Sequence, residues 1–218
     1  IQPEAADKTA AAVGEWMRRY KVPAYDEATG KGLVRHVYVR VNRKGESLCC
    51  VVINGRQAPR EPELAAYVCA TVPHTAGVLV NSNTKRGNVI LGEKYRTLWG
   101  RDYLMDTLCG LEFKLSVPSF YQVNRDQAEA LYGKALDYAG LTGRETVLDL
   151  YCGIGTITLC LAKRAGRVIG AEIVPAAIRD AKENAARNHI ENAEFFCGDA
   201  AETAARLEAE GLRPDVIT

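Results

Sequence analysis

The sequence predicts an α/β chain in two parts: a doubly wound, parallel-sheet half at residues 119–218, preceded by a smaller α+β half with a largely antiparallel sheet at residues 1–118. Three observations carry this. From Gln127 onward, helix-length amphipathic stretches alternate with short apolar runs, the pattern of parallel strands joined by crossover helices. Within that alternation Thr146–Thr156, T-V-L-D-L-Y-C-G-I-G-T, runs an apolar strand into an acid and a Gly-x-Gly turn that opens a helix. Charge divides at the same place: residues 1–118 hold 17 Lys and Arg against 12 Asp and Glu, and residues 119–218 hold 11 against 15. A net charge of +1 therefore hides a basic first half and an acidic second.

Each element follows in order. Ala5–Tyr20 reads as a helix. Strands are expected at Leu33–Asn42, Ser47–Asn54, Gly77–Asn81, Asn88–Leu91, Tyr95–Trp99 and Glu112–Val117, each alternating or rich in β-formers. Turn signals such as Asn42-Arg43-Lys44-Gly45 and Lys85-Arg86-Gly87-Asn88 punctuate them, and a helix at Glu61–Val72 interrupts them. In the second half, helix Gln127–Ala139 precedes strand Val147–Leu150. Helix Thr156–Arg164, strand Arg167–Ala171, helix Pro175–His189, strand Glu194–Cys197 and helix Ala200–Glu210 follow, with a further strand opening at Asp215. Proline at the first position of the third helix suits its start.

At 218 residues, 47% hydrophobic and 25% charged, the chain can bury one large or two small cores. No apolar run approaches the ~20 residues that span a bilayer, and no signal peptide is visible, so a cytoplasmic protein is expected. The seven cysteines form no Cys-x-x-Cys and read as buried free thiols; neither spacing nor a nearby histidine suggests a metal site. Because the chain begins at Ile1 and closes on what reads as the opening of a strand, a piece of a longer protein is expected.

The glycine turn suggests a ligand. Gly153 and Gly155 permit a sharp turn and close approach of a ligand to the backbone. Glu172 closes the next apolar run about twenty residues on, where a carboxylate meets the two ribose hydroxyls of an adenosine. Asp149 beside the turn would repel a pyrophosphate but suits a cationic sulfonium amino acid, and the third small residue of a dinucleotide fingerprint is here Thr158. S-adenosylmethionine fits better than NAD. The competing reading is a glycine-rich turn in another doubly wound protein, since this fold hosts many functions.

The block Ser116-Val117-Pro118-Ser119-Phe120-Tyr121-Gln122-Val123-Asn124, with Gln127, Leu131 and Tyr132 and then D-L-Y-C-G-I-G-T, resembles the RNA (uracil-5-)-methyltransferase family that makes 5-methyluridine. Gly32–Val37 and Asn88–Gly92 resemble that family's central domain, so the likeness covers essentially the whole chain. It implies a Rossmann-like methyltransferase domain, truncated at 119–218, and an RNA-contacting domain at 1–118. The substrate it implies is RNA, ribosomal rather than transfer RNA. It also implies donor contacts from Gln122, Tyr151, Thr156, Glu172 and Asp199, beside Asp149, Gly153 and Gly155. Thr156 departs from the asparagine of several relatives. Phe120 reads equally as a core and as a base-stacking residue, whereas Tyr121 reads more as core than as base-stacking. Family members often add an amino-terminal RNA-binding barrel and a cysteine-ligated iron–sulfur cluster, neither of them in this chain.

The family's chemistry adds a cysteine thiolate to carbon 6 of uracil, which makes carbon 5 nucleophilic toward the methyl group, and a base then removes the carbon 5 proton. The resemblance places that cysteine, the base and an Asp-Pro-Pro segment beyond Thr218, so no catalytic residue is assigned here. Cys152, in the glycine loop, reads as a small wall residue. Arg35, His36, Arg40, Lys85, Arg86, Arg96 and Arg101 suggest a basic face for phosphates. Two other classes of function compete: a methyltransferase acting on a small molecule or protein, and a noncatalytic RNA-binding module with a donor pocket.

Overall fold

A computed structural model of the chain describes residues 2–218, which form two compact units. The first runs to Leu104 and takes in Ser116–Pro118; the second comprises Met105–Leu115 and Ser119–Thr218.

The first unit contains α1 (Glu4–Tyr20), β1 (Val34–Val41), β2 (Ser47–Ile53), α2 (Glu61–Thr71), β3 (Thr75–Ser82) and β4 (Lys94–Gly100), with sheet order β1-β2-β3-β4. The joins β1–β2 and β3–β4 are antiparallel, whereas β2–β3 is parallel because α2 carries the chain back between them. The sheet is thus largely antiparallel, with one parallel join at its centre. Its central strand β2, S-L-C-C-V-V-I, is buried throughout. Cys49, Val51 and Ile53 form one core with Val78 and Val80 of β3, Val13 and Trp16 of α1, and Leu64 and Val68 of α2. Trp16 is wholly buried, and its indole N–H donates to the Arg60 carbonyl at 3.1 Å, so the large ring enters the core without an orphaned donor.

Asn88–Leu91 is not a strand. The Asn83 side-chain amide donates to the carbonyls of Val89 and Ile90 at 2.6 and 3.0 Å, and that of Asn81 bridges the Gly92 carbonyl and amide at 2.9 and 2.7 Å. Two asparagines occupy the backbone groups that a neighbouring strand would have paired. A strand the sequence did not announce, β5 (Tyr103–Leu108), pairs with β6 (Leu111–Ser116) in a two-stranded sheet. They are joined at Cys109–Gly110, whose φ values of +53 and +73° are those of a tight hairpin turn. Leu104, Asp106 and Leu108 alternate as buried positions; the charged Asp106, which receives Arg125 at 3.1 Å, interrupts the apolar pattern.

The rest of the second unit is α3 (Arg125–Ala139), β7 (Thr146–Asp149), α4 (Thr156–Ala162), β8 (Arg167–Glu172), α5 (Pro175–Arg187), β9 (Ala193–Cys197), α6 (Ala200–Ala209) and β10 (Val216–Ile217). The sheet is wholly parallel in the order β10-β7-β8-β9. Neighbouring residues of each strand face opposite layers. Val147 and Val168 pack with Leu161 and Ala162 of α4 and Leu136 of α3, while Leu148 and Ile169 pack with Leu207 and Ala204 of α6. Helices on both faces make the sheet doubly wound. The strand order reverses at β7, so the carboxyl end of β7 is the switch point where such sheets take ligands.

One ion pair ties the first unit across its sequence. Glu61 at the start of α2 is buried; it accepts from both terminal nitrogens of Arg96 at 2.6 and 2.8 Å and from the Ala58 amide at 2.8 Å. Burial raises the carboxyl pKa, but Arg96 and the Ala58 N–H outweigh it and hold it below its ordinary 4.5. A depressed folded value means that the stabilisation is complete above the unfolded value and is lost as pH falls through the folded one. Glu61→Gln should therefore melt at lower temperature than the parent at neutral pH, with the gap closing as pH falls below 4.5. Thermal melts of both proteins across that range provide the check.

Candidate functional site

Beyond β7 the chain turns through Leu150–Gly155 into α4. Gly153 has φ +54° and a Cβ there would meet open space, so the left-handed backbone and unobstructed approach both favour glycine. At Gly155, φ +85°, a Cβ would lie 3.3 Å from the Phe195 ring, so this glycine also lets α4 pack against β9. The turn is anchored to the next strand by the Cys152 amide, which donates to the Ala171 carbonyl at 3.0 Å.

Two carboxylates organise it. Asp149, only 3% exposed, accepts from the hydroxyl of the buried Thr158 and from the Tyr151 N–H. Burial pushes the Asp149 carboxyl up, helped by the Glu172 charge, against the opposing pull of those two donors. Glu172, at the carboxyl end of β8, accepts from Gly153 N–H at 3.2 Å with one oxygen and from Val174 N–H at 3.0 Å with the other. Burial and then the charges of Asp149 and Glu172 also push the Cys152 thiol up. The mouth of the turn is therefore anionic, which repels a pyrophosphate and attracts a cation.

The structure brings Asp149, Tyr151, Gly153, Gly155, Thr156 and Glu172 together around this turn. Tyr151 is 80% exposed. The Thr156 hydroxyl pairs with Tyr132 at 3.1 Å, linking α3 to α4. Asp199 follows β9 and caps α6, one oxygen accepting from Ala201 and Glu202 amides at 2.8 and 3.2 Å. Gln122 sits half-buried in the loop before α3, between buried Tyr121 and exposed Val123. Phe120 is 75% exposed, so its ring lies outside the core, whereas Tyr121 packs beside Phe113 with ring centroids 6.3 Å apart. Sequence reasoning missed Ile173, an exposed apolar side chain directly after Glu172, and it missed Thr158 as the partner of Asp149. The signal for Ile173 was present: an apolar residue just past a strand's carboxyl end, beside an acid.

The basic face expected on the first unit is largely committed internally. Arg35 is buried over the Tyr25 ring and donates to the carbonyls of Asn83 and Lys85. Arg40 donates to the Val117 carbonyl, Arg96 serves Glu61, Arg101 pairs with Glu46 at 2.6 Å, and Lys85 with Glu93 at 2.8 Å. Cys49, Cys50, Cys152 and Cys160 are buried, and among the described residues no group of three metal-ligating side chains occurs. Nor is any described helix long and apolar enough to cross a membrane.

A family model described as "Methyltransferase domain" matches residues 141–218. A Halalkalibacterium halodurans protein named as an uncharacterized RNA methyltransferase is 44% identical over the whole chain, which covers 48% of that protein. A Clostridium acetobutylicum protein of the same designation is 40% identical over the whole chain, covering 47% of it. The chain thus spans about half the length of the curated relatives it matches. Among solved structures, Pyrococcus abyssi tRNA (uracil-54, C5)-methyltransferase in complex with S-adenosyl-L-homocysteine aligns with TM-score 0.72 and 21% identity, over 88% of this chain and 46% of its own. The M. jannaschii tRNA m1G37 methyltransferase aligns with TM-score 0.52 and 16% identity, over 95% of this chain and 62% of its own. The fold is the Rossmann-like one of these methyltransferases; residues 141–218 match the methyltransferase-domain model, and the chain as a whole is similar to proteins named RNA methyltransferases.

Proposed function

We propose that this chain is the donor-binding part of a cytoplasmic enzyme that methylates uridine at carbon 5 in RNA, with ribosomal RNA as substrate and S-adenosylmethionine as donor. The observation that carries the donor assignment is the Glu172 carboxylate held against the Gly153 amide at the switch point of the sheet. Each of its oxygens accepts one backbone N–H and keeps a lone pair for a ribose hydroxyl. Tyr151 and Ile173 supply apolar walls for an adenine ring, and the second oxygen of Asp199 can accept from its amino group. Gln122 donates and accepts near the methyl group or the target base. Asp149 acts by holding the turn and by its charge, and Thr156 by its bond to Tyr132. Bound here, the donor supplies an electrophilic methyl group, and the anionic mouth complements its positive charge.

The uridine assignment is supported by the Ser116–Asn124 block and by the fold shared with the archaeal uracil methyltransferase. Five of the seven cysteines of this chain do not suit the thiolate step. Burial pushes the Cys49, Cys50, Cys69, Cys152 and Cys160 thiols up, Cys50 to about 12, whereas a nucleophilic thiol needs its pKa lowered. We assign the thiolate to a part of the whole protein outside these 218 residues.

Two outcomes test this. By calorimetry, Glu172→Ala should weaken binding of S-adenosylhomocysteine roughly ten- to hundredfold, the loss of about 1.5–3 kcal/mol expected for hydrogen bonds to a charged group; unchanged affinity removes the ribose contact. Incubated with donor and 5-fluorouridine-containing ribosomal or transfer RNA, the chain should form no covalent adduct, as attack at carbon 6 followed by methylation would trap one. An adduct mapped by mass spectrometry to any of its seven cysteines would overturn the assignment of the thiolate.

A further inference from the structure

The side chain of Asn184 on α5 is used by none of the groups discussed above, yet it is wholly buried beneath the glycine turn. Its amide nitrogen donates to the Ile154 carbonyl at 3.2 Å, in the middle of the turn, and its oxygen accepts from the Lys114 amide of β6 at 2.8 Å. One turn along, the Asn188 oxygen accepts from the Glu112 amide at 2.8 Å, and its nitrogen donates to the Glu112 carbonyl at 2.7 Å and to the Asn184 carbonyl at 2.8 Å. The two asparagines, four apart on one face of α5, meet the alternate residues Glu112 and Lys114 of β6, as a neighbouring strand would. On the same helix, Asp180 accepts from the Ser119 hydroxyl at 3.2 Å, so the seam continues to the residue before Phe120–Gln122.

We propose that Asn184 is a positioning residue of the donor site: its single carboxamide fixes the carbonyl of Ile154 in the glycine turn and the backbone of the strand that leads to Gln122, setting one against the other. The inference rests on the donor site proposed above. Asparagine is required by chemistry. Both partners are backbone groups of opposite kind, so one arm must donate and the other accept; a carboxylate cannot donate, an apolar side chain does neither, and a hydroxyl has one polar atom where the carboxamide has two. The same opposition fixes which way the amide points. Asn188 performs only half of this task, because it grips β6 without touching the turn.

The contrast supplies the test. With Asn184→Asp, which still accepts from the Lys114 amide but no longer donates to Ile154, amide hydrogen exchange should speed up at least tenfold at the Cys152–Gly155 turn while Lys114 stays protected, and affinity for S-adenosylhomocysteine should fall about tenfold, the loss of one buried hydrogen bond. Asn188→Ala should speed exchange at Glu112 and leave both the turn and that affinity within about twofold of the parent. Should the aspartate variant not fold, Asn184→Ser, which removes the bridge without adding charge, is read the same way at the turn and should also release Lys114. Exchange at the turn that is unchanged in the Asn184 variant, or raised equally by Asn188→Ala, overturns the proposal whether or not the ligand binds. A parent that binds no S-adenosylhomocysteine, with exchange behaving as expected, overturns the donor site and leaves the positioning of the turn standing.

Discussion

The proposed donor site depends on a carboxylate taken out of water. Asp149 closes the first strand of the parallel sheet, and its burial is tolerable because the Thr158 hydroxyl and the Tyr151 amide meet it from the two sides of the turn. That bond locks the end of β7 to the first turn of α4 and so fixes the loop between them. Gly153 is left with its amide free to reach Glu172, and the exposed edge of the loop faces the switch point of the sheet. Removing the Thr158 hydroxyl would leave the buried carboxylate with the Tyr151 amide and too little compensation. The residue that a motif reader takes for a ligand contact thus serves first to hold the turn.

The same division between support and contact runs through the unit. Thr156 spends its hydroxyl on Tyr132, and Asp199 spends one oxygen on the amino end of α6. Glu172 differs: it lies at the edge, half-exposed, with both oxygens only partly occupied. Beneath these groups, Asn184 joins the glycine turn to a strand some 40 residues upstream in the chain. The methyl transfer proposed here would need donor and RNA held within a fraction of an ångström, and buried polar pins are one way to hold a loop without a metal or disulfide.

The parallel half was legible because its signals are local: the helix–strand alternation, the acid before Gly153 and Gly155, and Glu172 one strand on all sit in consecutive elements. What escaped was decided by partners distant in sequence. Asn88–Leu91 looks like a strand until Asn81 and Asn83 are seen to occupy its backbone, and β5 hides behind Asp106, whose charge makes sense only opposite Arg125. The pairing of the basic residues escaped for the same reason. Arg96 and Arg101 find Glu61 and Glu46 across the sheet, 35 and 55 residues away, and no periodicity announces such pairs.

The most direct measurement is a titration of the isotopically labelled chain with S-adenosylhomocysteine, followed by its two-dimensional amide spectrum, with NAD as the comparison ligand. The account predicts shifts concentrated at Tyr151–Gly155, Glu172–Val174 and Gly198–Asp199, with Glu172→Ala abolishing the second group and NAD producing none. Shifts centred elsewhere, or an equal response to NAD, would contradict a methyl-donor site at the carboxyl ends of β7 and β8.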